Sequence, residues 1–97
     1  MNREEIIVKL QAILPEVKEK YHVKSMGIFG SVARGDDTEV SDVDILVEFG
    51  EQAIGFFDFI RLQKILSDAL GREVDLVTKD GLKKVIKEDI LRETIYV

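Results

Sequence analysis

Asp42 and Asp44 stand two residues apart where a polar loop gives way to the apolar run Val43-Asp44-Ile45-Leu46-Val47. Asp75 lies inside a second such run, Val74-Asp75-Leu76-Val77, and an earlier one, Met26 to Phe29, empties into Gly30-Ser31 with Arg34 close behind. Side chains two apart in a strand point the same way. Asp42 and Asp44 therefore share one face, while Val43, Ile45, Val47 and Phe49 make the buried one. A slip of one residue would drive the carboxylates into the core, so the register is fixed.

Three carboxylates gathered on adjacent strands need neutralising. Two of them about 5 Å apart repel by roughly 3 kcal/mol at an effective dielectric near 20. Protonation relieves this, and so does a cation. Oxygen ligands without His or Cys favour Mg²⁺, with Mn²⁺ as the substitute, and Mg²⁺ is commonly shared between carboxylates and substrate phosphates. In outline this is a two-ion site, one ion activating an attacking hydroxyl and the other neutralising phosphates and leaving group. Gly30-Ser31 supplies the other half. Glycine lets the backbone approach closely, serine offers a hydroxyl, and a helical turn opening at Ser31 points free amides at an anion. Arg34 either adds a planar donor to that anion or pairs on the surface with Asp36 or Glu39. Singly, a Gly-Ser turn or an Asp-x-Asp that merely starts a strand is commonplace. Together with a mid-strand third aspartate they favour catalysis over a structural role.

The elements that must hold these residues follow from spacing. Asn2 with Glu5 resembles a capping box ahead of Ile6, Ile7, Leu10, Ile13, Leu14 and Val17, an amphipathic helix that Pro15 should break, with a second short helix to about Lys20. Val23 to Phe29 reads as a strand, residues 35–41 as a polar loop, and Asp42 to Glu48 as the next strand. Phe56, Phe59, Leu62, Leu66 and Leu70 recur at helical spacing up to a Gly71 cap, and residues 72–78 make a third strand. The cluster Phe56, Phe57 and Phe59 reads as core packing rather than a base-stacking surface. Asp80 is a candidate cap for a closing helix, and the apolar tail Ile95-Tyr96-Val97 should dock. His22 and its charged neighbours read as a solvated helix end. Lys79, Lys83, Lys84 and Lys87 read as a solvated helix face, the alternative being an approach to the phosphates. The expected fold class is α/β (α+β): a short mixed sheet of about three strands flanked by helices.

At 97 residues, 45% hydrophobic and 34% charged, the chain suits one domain, residues 1–97, with its own core. It has no cysteine, which excludes disulfides, thiolate metal sites and a thiol nucleophile. No apolar run reaches the roughly 20 residues of a membrane span, and the first residues lack the pattern of a signal peptide, so a cytoplasmic location is expected. A net charge of −5 disfavours an extended grip on nucleic acid.

Gly30-Ser31, then Ala33-Arg34-Gly35, then Ser41-Asp42-Val43-Asp44-Ile45-Leu46-Val47, resembles the signature of the minimal nucleotidyltransferases of the DNA polymerase beta superfamily. The likeness runs from the N-terminal helix to the Tyr-Val ending. It implies that Asp42 and Asp44 are paired metal ligands, Asp75 the third carboxylate, and Gly30 and Ser31 the nucleotide-phosphate turn. It implies a nucleoside triphosphate donor, with ATP favoured, and transfer of a nucleoside monophosphate to a hydroxyl with release of pyrophosphate. Larger relatives add domains that hold the acceptor, whereas little of this sequence lies beyond the catalytic unit. Small members of the family are commonly paired with a HEPN-type toxin that they adenylylate as its antitoxin, commonly on tyrosine. The rival expectations are a binding module that masks its partner sterically and, behind it, a transferase with a small-molecule acceptor.

Overall fold

The computed structural model describes residues 1–52 and 54–97. Helix α1 covers Arg3–Tyr21, and the Asn2 side chain caps it by accepting the Glu5 N–H at 2.9 Å. The helix does not break at Pro15 as its sequence predicts. Proline deprives the Gln11 carbonyl of its donor. Both residues face solvent, where water can satisfy that oxygen, while Ile6, Leu10 and Val17 gain burial along one unbroken stripe.

Strand β1 (Val23–Phe29) leads into the short helix α2 (Gly30–Arg34), and after the polar loop β2 covers Val43–Phe49. Helix α3 (Phe56–Leu70) crosses to β3 (Val74–Thr78), and α4 (Lys84–Glu93) precedes β4 (Ile95–Tyr96). The mixed sheet has the order β3-β2-β1-β4, with only the β2–β3 pair parallel. It therefore has four strands where three were expected. The fourth is the apolar tail, which docks by pairing Ile95 with Ile28 and Tyr96 with Gly27. Its approach is close because Gly27 carries no side chain: a methyl there would stand 2.6 Å from Thr94 Cγ2 and 2.9 Å from the Ile95 carbonyl oxygen.

One face of the sheet is the core, where Met26, Ile28, Val43, Ile45, Val47, Val74 and Leu76 meet the buried stripes of α1 and α3. The period-two pattern of β2 is kept, yet Leu46 on the aspartate face is also buried. That face is open at its two ends, where Asp44 and Glu48 are half-buried. Phe59 packs on the core, edge-to-face with Phe49 at 6.4 Å, but Phe56 and Phe57 are 71% and 73% exposed and are not core as expected. At about 100° per residue the buried arc of α3 is held by Phe59, Leu62, Leu66 and Leu70, which leaves Phe57 on the far side and Phe56 at the rim. Asp80 does not cap α4. Thr78 instead closes a 3-10 turn over Lys79–Gly81 by accepting the Gly81 N–H, and α4 begins only after Lys83.

Candidate active site

The ladders place Asp44 between two neighbours: Phe29 opposite it on β1, and Asp75 beside it on β3. Partners on adjacent strands lie about 5 Å apart and share a face. Asp44 and Asp75 thus meet as the alternation predicts. Asp42 falls just ahead of β2, which starts at Val43, and is exposed like Asp75, whereas Asp44 is half-buried. Burial raises the Asp44 carboxyl above its ordinary value of 3.8, and the charges of Asp75 and Asp42 raise it further. Arg34 partly offsets them, and Glu93 adds to them.

The glycine turn closes against the same carboxylate. Gly30 has φ +70, and a methyl on it would run into Asp44 Oδ2 and stand 3.0 Å from Cγ. Both demands select glycine. Beyond it α2 is a single turn closed by Gly35 at φ +80, whose N–H donates to the Val32 carbonyl, while the Asp36 N–H donates to that of Ser31. Ser31 is half-buried beside Gly30. Of the two fates foreseen for Arg34, pairing is the one present: it meets Asp36 at 3.3 Å and Glu93 at 3.4 Å, and Glu39 is not its partner.

Two residues that matter here were missed by sequence reasoning. Arg72, read as the first residue of a strand, instead turns back onto the loop ahead of Asp42. Its guanidinium donates to Asp37 at 3.1 Å and to the carbonyls of Thr38 and Ser41 at 3.0 and 2.7 Å, with its side chain 10% exposed. The next residue, Glu73, accepts the Val43 N–H through its carbonyl. The entrances of β2 and β3 are thereby tied together. The available signal was an acidic loop, Asp36, Asp37 and Glu39, that needs a nearby cation. Glu93 was the other, and its Oε1 accepts the Gly30 N–H at 2.8 Å.

Lys79 is half-buried and pairs with Glu48 at 3.4 Å, while Lys83 and Lys84 are exposed. A depression of about 470 Å³ lies at the other end of β2 and β3, against Phe49, Phe56, Phe59 and Thr78. It does not include the aspartates. Among the described residues, no three acidic or imidazole side chains converge tightly enough to enclose an ion unaided. The donor set nevertheless fits Mg²⁺: hard oxygens only, a half-buried carboxylate crowded by two others, and an open side where water and phosphate can complete the shell.

A family model described as a nucleotidyltransferase domain matches residues 10–97. The chain belongs to the nucleotidyltransferase family. A Thermococcus cleftensis relative named protein adenylyltransferase MntA is 46% identical over 94 residues, covering 97% of this chain and 94% of its own. A solved structure described as a proposed minimal nucleotidyltransferase superposes with a TM-score of 0.83 at 37% identity, covering 98% of this chain and 95% of the other. A chain from the complex of a tri-AMPylated Shewanella oneidensis HEPN toxin with its MNT antitoxin shares the fold at 22% identity and a TM-score of 0.60, covering 98% and 67%. The mixed sheet, the glycine turn and the paired strand aspartates are thus parts of a nucleotidyltransferase, an enzyme, as its sequence leads one to expect. No helix among the described residues is long and apolar enough to cross a membrane.

Proposed function

We propose that this nucleotidyltransferase, with residues 1–97 working as one catalytic domain, transfers AMP from ATP to a hydroxyl of a partner protein. The partner is a HEPN-type toxin, which the transfer neutralises. The observation that carries the nucleotidyl-transfer reading is the lodging of Asp44 against the bare Cα of Gly30. That contact fuses a carboxylate strand and an anion-receiving turn into one site. The name of the Thermococcus relative and the modified toxin in the Shewanella complex support a protein acceptor.

Asp42, Asp44 and Asp75 would hold Mg²⁺, which when bound supplies charge neutralisation for the phosphates and lowers the pKa of the attacking hydroxyl. Ser31 receives the triphosphate through its backbone amide and hydroxyl, while Gly30, whose own N–H is given to Glu93, lets the phosphates approach the backbone closely. In the transfer, the acceptor hydroxyl gives its proton to solvent as its oxygen bonds to the α-phosphorus, the bond from that phosphorus to the bridging oxygen breaks, and pyrophosphate leaves. Asp42 and Asp75 are exposed, so they are the carboxylates an incoming acceptor meets first, whereas Asp44 is recessed. Positioning accounts for most of the acceleration in such transfers, because little covalent chemistry falls to the protein.

The test is incubation with Mg²⁺, ATP and the product of the adjacent gene, followed by intact-mass measurement. One or more adenylyl groups on the neighbour are expected, and none from Asp42→Asn/Asp44→Asn. If that double variant neutralises the neighbour as well as the wild type, steric masking replaces chemistry. A folded wild type that leaves the neighbour unmodified overturns the protein acceptor.

A further inference from the structure

We infer that Glu93 is a positioning residue of the nucleotide site, capping the Gly30-Ser31 turn from across the fold. Helix α2 has no cap of its own, since the residue in that place, Phe29, offers no side-chain acceptor. The Gly30 N–H is instead taken by a carboxylate 63 positions away, at 2.8 Å, and the same carboxylate reaches Arg34 at 3.4 Å. Gly30 is thereby held on two sides, its N–H by Glu93 and its Cα by Asp44.

The placement of Glu93 has no local reason. It is the last residue of α4, where a negative charge opposes the helix dipole. What holds the carboxylate there is the pair of contacts it makes with α2, the Gly30 N–H and the Arg34 guanidinium. The chain after it is fixed by strand pairing, with Ile95 opposite Ile28, so β4 delivers the carboxylate to the end of β1 where Gly30 begins. An N–H donating to a charged acceptor contributes more than a neutral bond does. That contact holds the turn in its left-handed geometry before any nucleotide arrives.

The role rests on the nucleotide reading of the turn, and the test separates the two. Amide exchange at Gly30 and ATP affinity in Mg²⁺ are measured for the wild type, Glu93→Gln and Glu93→Ala, with dispersed amide spectra confirming folding. Glutamine keeps an acceptor oxygen for the Gly30 N–H, whereas alanine has none. Exchange at Gly30 should accelerate in Glu93→Ala, ATP affinity should fall about tenfold, and Glu93→Gln should recover most of both. Unchanged or tighter ATP binding in Glu93→Ala overturns the positioning role, as does Glu93→Gln behaving like alanine. An alanine variant that unfolds leaves the glutamine comparison to decide. A wild type that binds no ATP overturns the nucleotide reading and this role with it, while Gly30 exchange still shows whether Glu93 holds the turn.

Discussion

Gly30 and Asp44 pack so closely that the glycine Cα forms part of the wall behind the carboxylate. Gly30→Ala must either displace Asp44 or abandon φ +70, and left-handed backbone without glycine costs about 1–3 kcal/mol. The expected result is a lower urea midpoint together with nucleotidyl transfer reduced at least about 100-fold. A stable, active alanine variant would show that the contact is incidental.

Asp44 is held above its ordinary carboxyl value, so the folded state prefers it protonated. That preference supports the fold fully below about pH 3.8 and is lost as pH rises through the folded value. Asp44→Asn removes the charge and should melt higher than the wild type at pH 7, the advantage shrinking toward pH 4. Transfer should nonetheless fall by about 100-fold or more. Thermal scans across that range, read beside activity, check the sign; an advantage that does not change with pH would count against crowding of the carboxylates.

Removing Arg72 strands Asp37 and two loop carbonyls. Arg72→Met is expected to cost about 2 kcal/mol, in the range of hydrogen bonds to charged groups. Asp37→Asn should cost less, because the backbone contacts survive. A double-mutant cycle measures the coupling, and zero coupling between the two positions would dismiss the pair.

At Gly27 a methyl would collide with Thr94 and Ile95. Gly27→Ala should therefore lift β4 off β1 and cost about 1–3 kcal/mol, as other overpacking does. Exchange of the Val97 N–H, which donates to Met26 at 2.9 Å, reports the detachment directly.

Divalent metal is expected to act as a folding ligand. With Mg²⁺ and ATP near 100 times their dissociation constant, the wild type should gain about 2.7 kcal/mol of stability, and chelator should abolish the gain. Asp42→Asn/Asp44→Asn should show no such shift. An equal shift in that variant would place the metal elsewhere.

Much of this was legible because period and chemistry agree. Asp42, Asp44 and Asp75 are polar residues in or beside apolar strand runs, and strand alternation alone puts Asp44 and Asp75 on the uncovered face. The Gly-Ser turn announced itself by following a buried strand. Contacts between distant positions were not legible. Arg72 reads locally as a strand residue and Glu93 as a surface helix residue, and only the parallel β2–β3 pairing and the β1–β4 pairing reveal what they touch. Pro15 misled because local propensity ignores what a continuous stripe buries further along α1. Phe56 and Phe57 misled because helical spacing does not say where the packed arc ends.

The position of β4 has a consequence for synthesis. Both carboxylate strands are present once a growing chain has emerged through Thr78, yet the outer edge of β1 and the Gly30 N–H then have no partners. Those partners, Glu93, Ile95 and Tyr96, are made only after β3 and its aspartate. Completion of the turn therefore waits for the segment that follows α4 and for the end of α4 itself. A chain cut short before Glu93 carries every aspartate of the candidate site without the clasp that holds its glycine turn.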